Sequence, residues 1–133
     1  MSAGKLSLSI LTPEKPIFQG EVDFVVLPLH DGELGAYPLH APLLGKLGQG
    51  ELRAKAGETW HRYYVGRGFA EIADDVVTVL SDEAMLLSEL DPEATLSELE
   101  EARSRHARTA EEIDSRLADM DRAKVRRRLA IRK

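Results

Sequence analysis

The sequence contains no cysteine. Disulfides, thiol nucleophiles and cysteine-ligated metal centres are therefore excluded. No apolar run approaches the roughly 18 residues that a membrane-spanning helix needs. Residues 1–15, MSAGKLSLSILTPEK, alternate polar and apolar too regularly for the apolar core of a signal peptide. A soluble, cytoplasmic protein without direct membrane insertion is the expectation. A net charge of −5 argues against a nucleic-acid partner, which requires a basic surface. No GxxxxGK[S/T] loop occurs, and the GRG at 66–68 and GQG at 48–50 are isolated turn glycines. The serines lie mainly in the first strand or among helical charges, with no histidine–acid pair beside them. His61 reads as part of a strand face and His106 as a helix-surface residue, so neither points to enzyme chemistry.

Other absences are local. No glycine follows Gly68, no aromatic residue follows Phe69, and no proline follows Pro92. What remains after Pro92 is mostly Ala, Leu, Glu, Arg, Lys, Asp and Ser. This shift, around SELDPEAT, divides the 133-residue chain into an expected domain at 1–90 and a second at 91–133.

The first part reads as short strands. In KLSLSIL, Leu6, Leu8 and Ile10 fall on one face and Lys5, Ser7 and Ser9 on the other, the period-2 pattern of a half-buried strand. EVDFVVLP, ELRAK, TWHRYYV, FAEIA and DVVTVL follow, separated by Gly, Pro and Asp; VGRGF and ADDVV read as tight turns between strands. Such spacing without intervening helices predicts an antiparallel sandwich or barrel.

The second part reads as helix. TLSE at Thr95–Glu98 and TAEE at Thr109–Glu112 both fit a capping box, predicting helices over about 95–107 and 110–131 folded as a hairpin. Leu96, Leu99 and Ala102 are the expected inner face of the first helix, and Ile113, Leu117 and Met120 that of the second. One continuous helix is the competing reading, since neither Gly nor Pro enforces the turn. From Asp82 to Glu101 the chain carries acids and no base; from Arg122 to the end it carries bases and no acid. Helix dipoles and solvated faces account for part of this polarity, and an acidic protein partner for the basic end would account for more.

Residues 30–42, HDGELGAYPLHAP, crowd two histidines and two acids between glycines and prolines. One reading is a metal site using His30, Asp31, Glu33 and His40, which would make the protein a metal-dependent β-sandwich enzyme or small-ligand binder. The other is a contact loop. Asp31 can bond its own backbone, Gly32 and Gly35 allow turns, and Pro38 and Pro42 hold the segment around His40 extended.

LTPEKPIFQGEV, DGELGAYPLHAPLL, LGQGELR, GFAEI and VTVLSDEA together resemble the epsilon subunit of bacterial F-type ATP synthase, a family that includes the chloroplast epsilon and mitochondrial delta subunits. The resemblance runs from about Leu6 to Leu90 and continues as a two-helix tail. It implies a flattened ten-stranded antiparallel β-sandwich followed by an antiparallel helical hairpin, and a non-catalytic subunit of the central-stalk rotor on the cytoplasmic face of the inner membrane. The implied partners are the gamma subunit, the c-subunit ring and, when the hairpin extends to inhibit ATP hydrolysis, the alpha and beta subunits. By position, Asp31 and Glu33 would meet the c-ring, and Tyr37, Pro38, His40 and Pro42 would lie near gamma. Arg122, Lys124, Arg126, Arg127 and Arg128 would form the inhibitory tail. Some members of the family bind ATP on the folded hairpin through [I/L]-D-x-x-R-A. Here that segment is LDPEAT, Leu90 to Thr95, with Ala94 in place of the arginine, so no cofactor is expected.

Overall fold

A computed structural model describes residues 4–132. Residue contacts divide the chain into two compact units, one ending at Leu86 and the other beginning at Leu87. Composition alone points to Leu90 as the boundary. The structural division instead falls ahead of a 3-10 turn at Leu87–Glu89.

The first unit is a sandwich of two five-stranded sheets. One sheet, in spatial order, holds β2 (Pro16–Val22), β1 (Leu6–Leu11), β9 (Val76–Ser81), β8 (Gly68–Ala73) and β5 (Leu43–Lys46). The other holds β10 (Ala84–Leu86), β7 (Thr59–Val65), β6 (Gly50–Ala56), β3 (Phe24–Leu29) and β4 (Gly32–Ala36). We call these the first and second sheets.

The core follows from side-chain alternation along the pleat. Leu6, Leu8 and Ile10 of β1 are fully buried, as their spacing predicts. From the first sheet they meet Val77 and Val79 of β9 and Ala70 and Ile72 of β8; from the second come Val25, Leu27, Leu52, Ala54, Tyr63 and Val65.

The ADDVV turn forms as expected: Asp74 and Asp75 take φ of 51° and 61°, the double left-handed geometry of a tight hairpin between β8 and β9. VGRGF is different. It carries the chain from β7 in the second sheet to β8 in the first, so it is a corner of the sandwich and not a hairpin. The expected antiparallel sandwich forms with one exception in its pairing, because β1 pairs with β9 in parallel. A parallel pair requires a long crossover. The second sheet and its connections provide it, joining the β1–β2 and β8–β9 hairpins into one layer.

The second unit holds α1 (Pro92–Ser104) and α2 (Ala110–Arg132) after the 3-10 turn. Two helices form, separated by a stretch through Arg105, whose extended backbone (φ −67°, ψ 134°) ends α1. Thr109 caps α2 as predicted: the Glu112 N–H donates to its Oγ1 at 3.0 Å. Thr95 does not cap α1. Asp91 does, accepting from the Glu93 N–H at 3.1 Å, and Pro92 occupies the first helical position. An aspartate followed by proline is the stronger start signal, because the proline's fixed φ suits the first turn and its missing N–H costs nothing there. Thr95 lies one turn inside, its hydroxyl donating to the Pro92 carbonyl at 2.9 Å.

The helix faces also need correction. Leu99 and Ala102 are buried, but Leu96 is exposed, and so are Ile113 and Leu117 of α2. The buried residues of α2 are Ala123, Arg126, Leu129 and Ala130, all in its C-terminal half. Two alanines, one arginine and one leucine line this helix, in place of the expected Ile113, Leu117 and Met120.

Candidate docking site

The crowded segment 30–42 does not form one site. His30 and Asp31 sit in the β3–β4 turn, while Tyr37 follows the far end of β4. Four residues of extended chain separate Glu33 from Tyr37, about 13 Å. At the turn end, the Glu33 carboxylate accepts from Arg53 Nη1 at 2.9 Å. At the other end, Tyr37 stacks on Phe24 with ring centroids 5.2 Å apart. Pro38 to Pro42 then carry the chain from the second sheet to β5 in the first. His40 donates from its backbone N–H to the Tyr37 carbonyl at 3.2 Å, and its Nδ1 lies 2.7 Å from the Ala41 carbonyl.

This division leaves the metal reading without a donor set. The four candidate ligands are spread between the two ends of β4, and among the described residues no group of three His, Asp or Glu side chains is placed to hold an ion.

A surface that sequence reading overlooked lies on the outside of the first sheet. There Leu80 of β9 pairs with Phe69 of β8, and Phe69 with Lys46 of β5. The next row joins Thr78, Glu71 and Leu44, and the next joins Val76 to Ala73. Leu44 is 73% exposed, Phe69 55% and Leu80 52%. Fully burying one such side chain is worth about 1.5–3 kcal/mol, so the three together, with Lys46, Glu71 and Thr78 among them, are an incentive for a partner. The signal was present in DVVTVL. A strand with one wet face should carry polar residues at 76, 78 and 80, yet only Thr78 is polar.

Beside this face stands Leu39. Its φ is 68°, a left-handed conformation that is a true outlier for a bulky residue. Such strain costs about 1–3 kcal/mol and persists only where surrounding contacts over-determine it. Here they do. The Leu39 N–H donates to Asp75 Oδ1 at 2.6 Å, and the Asp75 carbonyl accepts from the Ser7 N–H at 2.9 Å. The side chain so held is 87% exposed.

In the helical unit, polar contacts clasp the hairpin. Arg105 bridges Glu101 and Asp119, with Nη contacts of 2.7 Å to each. Those hydrogen bonds to Glu101 and then Asp119 raise its pKa further above the usual arginine value. Arg116 reaches back from α2 to donate to the Ala102 and Arg103 carbonyls at 3.2 and 2.7 Å, the first of which also accepts from the Arg105 N–H at the end of α1. Arg126, 8% exposed, pairs with Glu98 at 2.9 Å. Of the basic run, Lys124 and Arg128 are exposed, Arg122 and Arg127 are partly covered, and Arg126 is built into the seam. Lys124, Arg127, Arg128 and Arg132, with Leu99 and Ile131, line a hollow of about 410 Å³.

The Glu98–Arg126 pair gives a direct expectation. Glu98→Gln removes a carboxylate partner from a buried guanidinium, and should destabilise the hairpin by about 1–3 kcal/mol. The loss would be read as an earlier, broader helical melt by circular dichroism, with the sandwich unchanged.

Comparison with known proteins follows the same division. Residues 5–87 match the family described as ATP synthase, Delta/Epsilon chain, beta-sandwich domain. An ATP synthase epsilon chain of Leptospira interrogans is 40% identical over 102 residues, covering 77% of this chain and 80% of the relative. One from Rhodopirellula baltica is 39% identical over 86% of this chain and 90% of its own length. One from Halalkalibacterium halodurans is 35% identical over 95% and 96%. Among solved structures, a chain of the Euglena gracilis mitochondrial ATP synthase (OSCP/F1/c-ring) superposes with a TM-score of 0.73 at 24% identity, covering 92% of this chain and 75% of that one. A chain of the Tetrahymena thermophila central stalk/c-ring structure gives 0.71 at 13% identity, covering 95% and 96%. The β-sandwich domain match and relatives 35–40% identical over 77–95% of the chain show that it belongs to the ATP synthase delta/epsilon family.

Proposed function

We propose that the protein is a non-catalytic subunit of a bacterial F-type ATP synthase, seated in the central stalk between gamma and the c-ring. The observation that carries this reading is the apolar outer face of the first sheet, Leu44, Phe69, Val76 and Leu80, on a sandwich whose core is already complete without it. A subunit that passes torque needs a broad rigid contact, and a closed sheet face meets that need better than a mobile loop. Gamma is the partner for this face and for the adjoining segment with Tyr37, Pro38, His40 and Pro42. The c-ring is the partner for the turn carrying Asp31 and Glu33, at the other end of β4.

The hairpin supplies the regulatory part. Its two helices bury Leu99, Leu129 and several alanines and are tied by ion pairs, while Ile113 and Leu117 remain exposed. Such a seam can be exchanged for another dock, and Arg122, Lys124, Arg126, Arg127 and Arg128 would then meet acidic surfaces of the alpha and beta subunits. With Ala94 in place of the motif arginine, no nucleotide is assigned to the hairpin. No helix among the described residues is long and apolar enough to cross a membrane. Attachment to the inner membrane's cytoplasmic face would come through the c-ring.

ATP hydrolysis by the cognate catalytic complex tests this, reconstituted with the full chain or with a chain ending at Leu90. Suppression by the full chain alone is the expected result. Equal rates with both bound would remove the inhibitory role and leave the coupling role. Failure of either chain to bind would overturn the assignment.

A further inference from the structure

We infer that Leu39 is the anchor side chain of the docking face, and that Asp75 holds it in the binding conformation before the partner arrives. The inference rests on the reading that the outer face of the first sheet docks on the central stalk. It assigns that dock a point of insertion and a partner chemistry.

Leu39 combines two features that folding alone does not explain. It adopts a left-handed conformation suited to glycine, and it then exposes 87% of an aliphatic side chain to water. Neither feature contributes to the core, which Leu39 does not join. Both follow if the side chain is carried for a partner. The clamp spans distant parts of the sequence, since Asp75 belongs to the β8–β9 turn and reaches Leu39 through a 2.6 Å hydrogen bond. Asp75 is itself fixed by the hairpin geometry at 61° and by the Ser7 N–H on its carbonyl. The turn thus presets the linker, and little conformational freedom remains to be lost on binding.

The surroundings state what the partner must offer. Val76 follows Asp75 directly and continues the apolar surface; Asp74 and Glu71 are exposed acids near it, and the exposed base of this face, Lys46, lies two rows away beside Phe69. An apolar socket bordered by basic residues is the complement. Like-charge juxtaposition would exclude an acidic partner surface.

The test uses the full chain and the cognate catalytic head with gamma, depleted of this subunit. Two readouts are taken: the dissociation constant and the melting midpoint of the free chain. Leu39→Gly relieves the left-handed strain and removes the anchor. It is expected to melt no earlier than the parent and to bind at least about 10-fold more weakly. Leu39→Ala keeps the strain and should show the same loss of binding, which separates side chain from backbone. Asp75→Gly preserves the turn without the acceptor and should also weaken binding, whereas Asp75→Asn keeps an acceptor oxygen and should bind as the parent does.

Parent-like binding by Leu39→Gly or Asp75→Gly overturns the inference, and so does an earlier melt of Leu39→Gly. If Phe69→Glu still weakens binding in that case, the docking face stands without its anchor. If Phe69→Glu also binds as the parent does, the docking face itself is wrong.

Discussion

A chain carrying Phe69→Glu is expected to fold as the parent does and to bind its stalk partner about 100-fold more weakly, the range of a central interface residue. Phe69 lies on the outside of β8 between Leu80 and Lys46, and its neighbours Gly68 and Ala70 complete the strand without it. Surface substitutions of this kind change stability by about 0.5 kcal/mol or less. In the complex, however, the new carboxylate would be carried into an apolar contact, where an unpaired charge is severely penalised. Equilibrium binding to the depleted catalytic complex, set against a thermal melt of the free chain, separates the two effects. Unchanged binding would show that the first sheet's outer face is not the dock.

The second large effect concerns folding. Gly68→Ala should destabilise the sandwich by about 4 kcal/mol or more, which few single substitutions reach. Gly68 opens β8 at a φ of 155°, opposite Ser81. A Cβ built there would lie 1.8 Å from the Leu80 carbonyl oxygen and 2.9 Å from the Ser81 Cα. Both are backbone atoms of the paired strand, so no side chain can turn aside to make room. The strands must part where the chain rounds the corner from β7, and the Leu47 N–H that donates to the Gly68 carbonyl at 2.9 Å is drawn into the distortion. Since total stability is typically about 5–15 kcal/mol, a large share would be lost. Gly35→Ala is the matched control. Its Cβ would meet nothing within 4 Å, and its denaturation midpoint should stay close to the parent's. Similar midpoints for the two variants would refute the steric account.

These two residues stand one position apart and show what each level of description supplies. The alternation of Leu6, Leu8 and Ile10, and of Val77 and Val79, was legible because a pleated strand turns successive side chains to opposite faces whatever surrounds it. The Thr109 cap was legible for the same local reason, since a hydroxyl three residues from an amide satisfies it within one turn. The cap of α1 was misplaced only because two local signals competed and Asp91-Pro92 won. Family resemblance rested on short segments whose spacing survives in the linear chain.

Tertiary structure decided everything that depends on which distant strands meet. It joined β1 to β9 in parallel and divided 30–42 between two ends of the sandwich, so that Glu33 met Arg53 and Leu39 met Asp75. It also paired Phe69 with Leu80, set Leu44 in the adjoining row, and left all three uncovered. Sequence identifies which residues of a strand face outward. Whether those faces form one continuous apolar surface depends on strand order and register, and these are set by the packing of the whole sandwich.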